Sequence, residues 1–355
     1  MAPKNIDLEH LSEVDLLKVR VCDLPIGIKG TWLEECVNQL HAELAAKGLV
    51  FFPECYLADE WLTPEGEVAI GIPFYLSHPS LIKLERKMML EAEGEGKAWC
   101  MQLLRHEAGH ALTYAYNLNT KKDWQAVFGS PSVEYGDTYR FKPYSKSFVR
   151  HLDGFYAQYH PDEDFVETFA VWLTPDSDWQ NRYKGWKAFS KLAYVDGLMN
   201  ALKDVKPLKP RGRKLWEQRK MTATLDNYYA KKRRQDIEEF PDFHDVQLNK
   251  IFTPLSPEEW WAFSKDKKKN KALMTADELI RKYRKNILNS VDRTSGERKY
   301  IIDEMLNTIA VRTKQLHMIV RGDPAVSLMQ LSVYVTSLIM NYIHTGWFRG
   351  RVKRL

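Results

Sequence analysis

Cysteine is scarce in this chain of 355 residues: Cys22, Cys36, Cys55 and Cys100 are its four thiols, and none falls in a C-x-x-C spacing. Scattered among apolar neighbours, they give no disulfide framework and no cysteine zinc site, and reduced core thiols of this kind are expected of a cytoplasmic protein. Met1 to Val14 lacks an apolar stretch behind its basic residue, so no secretory signal is expected. Nothing in the composition, 44% hydrophobic and 12% aromatic, suggests large-scale disorder, and the length allows two domains. A surplus of one charge is also missing from the whole, but not from its halves. The first 200 residues hold 20 Lys and Arg against 29 Asp and Glu, a balance of −9, and the rest hold 32 against 18, a balance of +14. An acidic front and a basic rear are consistent with two domains, and the rear could meet an acidic partner or nucleic acid, although solvated lysines explain such a balance more often.

What is present is His106-Glu107-Ala108-Gly109-His110, inside the apolar run Trp99 to Tyr116. If that run is a helix, the two imidazoles leave one face about 6 Å apart, with Glu107 beside them. This is the H-E-x-x-H arrangement: two neutral nitrogen ligands for zinc and a carboxylate free to move a proton. The flanking residues are apolar on most sides, which predicts a buried helix, where unpaired polar groups cost several kcal/mol unless a metal partners them. A pair of hydrogen-bonded core histidines is the competing reading.

A third protein ligand is then needed. His160-Pro161-Asp162-Glu163-Asp164 leads into Phe165, Phe169, Trp172 and Leu173 at helical spacing, a second helix entered from an acidic turn. Glu167 on that helix is the expected ligand, with Asp164, Glu163 and Asp137 as alternatives. Asp164-x-x-Glu167 also has the form of a capping box, an ordinary structural explanation for the same glutamate. A histidine ligand from the longer H-E-x-x-H-x-x-G-x-x-H pattern is ruled out, because Thr113 and Tyr116 stand where its glycine and third histidine belong.

His106 to His110 followed by Glu163-Asp164-Phe165-Val166-Glu167-Thr168-Phe169-Ala170 resembles the gluzincin metallopeptidases, and most closely their bacterial zinc-binding members, over roughly residues 15–200. The F-x-E-x-F segment is similar to the second zinc helix of the anthrax lethal factor group. That similarity implies Glu167 as a ligand and a tyrosine seven residues earlier as a transition-state donor. His160 occupies that position here, with Tyr159 beside it and Tyr156 a turn before, so Tyr159, Tyr156 or His160 is the donor expected. A thermolysin-like enzyme would carry an aspartate four residues after the ligand, where this chain has Val171.

The expected fold is α+β: a zincin-like domain over 1–200 with a small mixed sheet, a basic linker and irregular region over 201–255, and a helical domain over 256–355. Leu16 to Cys22 and Leu49 to Phe52 read as strands around a helix from Thr31 to Ala46, with Thr31 and Glu34 as a capping box. Val68 to Leu76, interrupted by Pro73, reads as an edge strand that either binds an extended peptide or is capped by a loop. Lys203 to Lys214 has the Lys, Arg and Pro content of a linker. The uncharged run Pro324 to Phe348 has the length of a membrane span, but Ser327, Gln330, Tyr334, Ser337 and Asn341 form a polar stripe, so packing in a helical bundle is favoured.

These features predict a zinc-dependent peptidase or amidohydrolase with one Zn2+, a peptide or protein as substrate and Glu107 as general base. Two alternatives stand beside it. Lys231-Lys232-Arg233-Arg234 next to Tyr228 and Tyr229, and the run Lys265 to Lys271, could tether the zinc domain to nucleic acid. A zinc-stabilised interaction protein without catalysis is the other.

Overall fold

The computed structural model describes residues 6–135, 142, 144–234, 241–265 and 274–345. Among the described residues the protein is mostly helical, with two small two-stranded sheets, and the chain divides into a unit of residues 1–231 and a unit of residues 232–355.

In the first unit, α1 (Glu13–Leu17) and α2 (Trp32–Ala46) precede strands β1 (Cys55–Ala58) and β2 (Ile70–Pro73). Helices α3 (Pro79–Met89), α4 (Lys97–Ala115), α5 (Lys122–Phe128), α6 (Pro161–Leu173), α7 (Trp179–Arg182), α8 (Ala188–Ala201) and α9 (Leu225–Arg234) follow. The centre of the unit is the pair α4 and α6: every residue of α6 from Asp162 to Leu173 is buried, and α4 is buried along most of its length. α2 packs on α4 from one direction and α8 on α6 from another.

β1 and β2 pair in parallel, with Cys55 opposite Ile70 and Ala58 opposite Pro73. Gly71 exchanges both of its backbone hydrogen bonds with Leu62, at 3.3 and 2.8 Å, so a loop rather than a peptide occupies that part of the β2 edge. Thr63, the next residue, donates its hydroxyl to the Glu107 carbonyl at 3.1 Å. The sheet therefore reaches the His106 region through its edge loop.

Three local expectations differ from what forms. Leu16 to Cys22 is the end of α1 and a short 3-10 turn at Val21–Asp23, because Ser12 caps α1 by accepting from the Asp15 N–H. Leu49 to Phe52 runs without strand pairing, and the strand begins at Cys55. The Lys203 to Lys214 stretch is packed within the first unit. Leu208 and Lys209 donate their amides to the Ala115 carbonyl, and Glu67, 3% exposed, accepts from the Arg213 amide and guanidinium at 2.7 Å each. The contact boundary accordingly lies at residues 231–232, later than the expected domain end at 200.

The second unit holds α10 (Asp245–Ile251), α11 (Pro257–Lys265), α12 (Ala276–Ser295), α13 (Lys299–Gln315) and α14 (Pro324–Thr345), with β3 (Thr253–Pro254) antiparallel to β4 (Met318–Ile319). Thr275 and Glu278 close a full capping box on α12, and Ser256 with Glu259 does the same on α11. α14 is long and apolar enough to cross a membrane over Pro324–Ile343, at a mean hydropathy of 1.3. It turns Ser327, Leu331, Val335 and Ile339 inward and leaves Val326, Met329 and Val333 exposed, so its buried stripe is not simply the complement of the polar one.

Candidate metal centre

His106 and His110 lie one turn apart on α4, with ring centroids 5.1 Å from each other. Opposite them α6 presents Glu163 and Glu167, also one turn apart and therefore on one face of their own helix. The approach of the two helices depends on Gly109. A Cβ there would stand 3.0 Å from Val166 Cγ1 and 3.2 Å from Val166 Cα, too close to backbone for an ordinary contact. Gly109→Ala is expected to cost up to about 2 kcal/mol, overpacking of about 1–3 kcal/mol set against the roughly 1 kcal/mol that alanine returns in helix propensity. Chemical denaturation checks this, and a raised midpoint would contradict it.

α6 starts at Pro161, in the first-turn position that tolerates proline, and its cap is His160. The His160 Nδ1 accepts from the Asp162 amide at 3.1 Å, while its Nε2–H donates to the Val133 carbonyl at 2.7 Å. Asp164 and Glu167 consequently do not form the cap. His78-Pro79 opens α3 in the same way.

Four carboxylates on a fully buried helix each need a partner. Asp162 lies beside Asn119 and His160. Asp164 faces α8, where Lys191 meets it at 2.5 Å; burial still pushes its carboxyl up to about 7, the ammonium pulling against it. Glu167, wholly buried, accepts from the Leu152 amide at 2.8 Å through one oxygen and holds the His106 Nδ1 at 2.8 Å through the other. Glu163 faces the remaining imidazole nitrogens: its Oε2 is 3.2 Å from His106 Nε2 and 3.3 Å from His110 Nε2.

Glu163 supplies the third atom of the triangle, where Glu167 was the ligand expected from the sequence. Glu167 meets the other nitrogen of His106, where it fixes that ring's tautomer and orientation. Asp164 points elsewhere, and Asp137 lies outside the described residues. Among the described residues, His106, His110 and Glu163 form the one group of three whose ligand atoms all lie within 4.8 Å of one another, and it could hold a metal ion. Two details fit a cation. Glu163 Oε2 is buried beside both nitrogens yet makes no aligned hydrogen bond, an arrangement that a shared cation would complete. Donor atoms around a tetrahedral zinc with bonds of about 2.0–2.1 Å stand roughly 3.3–3.4 Å apart, and the two spacings to Glu163 agree with that.

The electrostatics are those of buried, interdependent charges. Burial disfavours a proton on His106, but Glu163 and Glu167 outweigh it and raise the ring well above the ordinary histidine range. His110 is raised too, Glu163 again overcoming burial, and the two rings hold Glu163 below the usual carboxylate range despite its own burial. Glu107, 7% exposed, is pushed up by burial, with His106 and His110 opposing. No family model, curated protein or solved structure matches this chain.

Of the three donors expected from the sequence, Tyr156 has its ring 5.6 Å from that of His106. Tyr159 packs between Tyr156 and Tyr135, at 5.7 and 5.4 Å. His160 is committed to the cap. Tyr135 was not foreseen: its hydroxyl donates to Glu163 Oε1 at 3.1 Å from a loop with no pattern to mark it. His151, which contacts the Gln102 carbonyl beside Leu152, also escaped notice.

Proposed function

We propose that the protein is a zinc-dependent peptidase or amidohydrolase whose ion is held by His106, His110 and Glu163. The observation that carries this reading is the triangle of converging donor atoms with a glutamate, Glu107, next to it on the same helix and outside the triangle. Zinc bound there would acidify a water molecule and polarise a carbonyl group. Glu107 would accept the water proton and deliver it to the leaving amine; burial raises its pKa, which favours its holding that proton in transit. Glu167 keeps a proton on His106 Nδ1, so that Nε2 offers its lone pair. With Glu163 as ligand, the seven-residue spacing implied by the gluzincin resemblance falls on Tyr156, and its hydroxyl is the donor we assign to the developing oxyanion.

An open site is favoured over a structural one, because a closed zinc site takes four protein ligands and the described group supplies three. The nucleic-acid alternative draws no support from the tyrosines beside its basic run. Tyr229 is buried, and Tyr228 donates to the Asp59 carbonyl at 3.1 Å and packs on Phe74, so neither presents a stacking platform. Residues 266–271 of the second basic run lie outside the described residues.

Turnover of a peptide library by the zinc-loaded protein and by zinc-loaded Glu107→Gln tests the reading. The variant is expected to keep its zinc and lose about 10²–10⁴ in rate. Full activity in the variant would refute the mechanism.

A further inference from the structure

Glu163 divides its two oxygens between two tasks. Oε2 is turned on the histidine nitrogens, and Oε1 accepts the Tyr135 hydroxyl. Tyr135 is itself held in place. Its ring stacks on His160 with centroids 3.8 Å apart and planes 16° from parallel. His160 in turn caps α6 and holds the Val133 carbonyl, so residues 133 and 135 are both fastened to the N-terminus of the helix that carries Glu163. A carboxylate terminal torsion is broad and two-fold, and packing alone fixes it poorly. The Tyr135 hydroxyl, on a half-exposed ring stacked against His160, supplies the further contact.

We infer that Tyr135 is a positioning residue that acts through Glu163. By holding Oε1, it keeps a single carboxylate oxygen toward the cation and prevents the second from closing a position that water and substrate need. The inference rests on the assignment of His106, His110 and Glu163 as the zinc site. It separates the ring of Tyr135, which anchors the loop, from the hydroxyl, which aims the ligand.

Tyr135→Phe keeps the ring and removes the hydroxyl; Tyr135→Leu removes both. Zinc affinity, measured by competition with a chromophoric chelator on the full chain, is expected to fall about 10–100-fold in Tyr135→Phe, the size of effect that loss of a partner behind a metal ligand produces. The thermal midpoint of that variant in excess chelator is expected to match the unaltered protein, which a merely structural role of the hydroxyl would not allow. In the cobalt-substituted protein its visible absorption is expected to weaken, as the released Glu163 oxygen adds to the coordination number. Unchanged affinity and an unchanged cobalt spectrum in Tyr135→Phe would overturn the inference and leave the zinc site standing, even if Tyr135→Leu were impaired. Absence of stoichiometric zinc from the unaltered protein would overturn both.

Discussion

Zinc affinity is expected to fall further in Glu163→Gln than in Glu167→Gln. The two glutamates are four residues apart on α6 and both meet His106, but through different nitrogens. Glu163 also faces His110, so its loss takes one of three donors and the only negative charge in the triangle. Glutamine at 163 keeps the volume and contributes a neutral, weaker donor. Glutamine at 167 has one acceptor oxygen for two donors, the His106 ring and the Leu152 amide, so it loosens the tautomer and orientation of a ligand without removing one. That second effect should be about 10–100-fold, and the first larger. Competition titrations of both variants read the order directly. The reverse order would return the third ligand to Glu167.

The largest loss of stability is expected from Glu43→Ala. Arg105, the residue before His106, forms a two-point ion pair with Glu43 of α2, at 2.7 Å for each contact, and the side chains are only 9% and 7% exposed. A pair buried to this degree is not worth much against well-packed apolar residues, but breaking it strands a guanidinium away from water. The cost is about 3–5 kcal/mol. Denaturant unfolding should show a lower midpoint for Glu43→Ala, and the double variant Glu43→Leu with Arg105→Met should recover most of the loss. Equal destabilisation in the single and double variants would show that volume, not the uncompensated charge, is what matters there.

The reach of the sequence ends where two residues share one face. His106 and His110 are readable because i and i+4 on one helix must project together, whatever surrounds them. Glu163 and Glu167 satisfy the same periodicity on α6, so spacing cannot say which one faces the Nε2 atoms of both imidazoles. That depends on how α6 crosses α4, which Gly109 and Val166 decide by contact. The cap of α6 was hidden for another reason: histidine is not among the usual cap residues, yet its Nδ1 accepts an amide as a side-chain oxygen would. Tyr135 lies 28 positions before Glu163, and no local pattern links them. The stretch from 203 to 214 has a linker's composition, but its backbone and Arg213 find partners at Ala115 and Glu67 far upstream. The mixed but mostly helical character of the chain was legible because it rests on composition and periodicity over long stretches.

Zinc held by His106, His110 and Glu163 in an open site is tested by the zinc-edge X-ray absorption spectrum of the stoichiometrically loaded protein. One zinc per chain is expected, with two imidazoles and otherwise only oxygen neighbours at about 2.0–2.2 Å. A sulfur neighbour at about 2.3 Å, a third imidazole, or failure to retain one zinc per chain would contradict it.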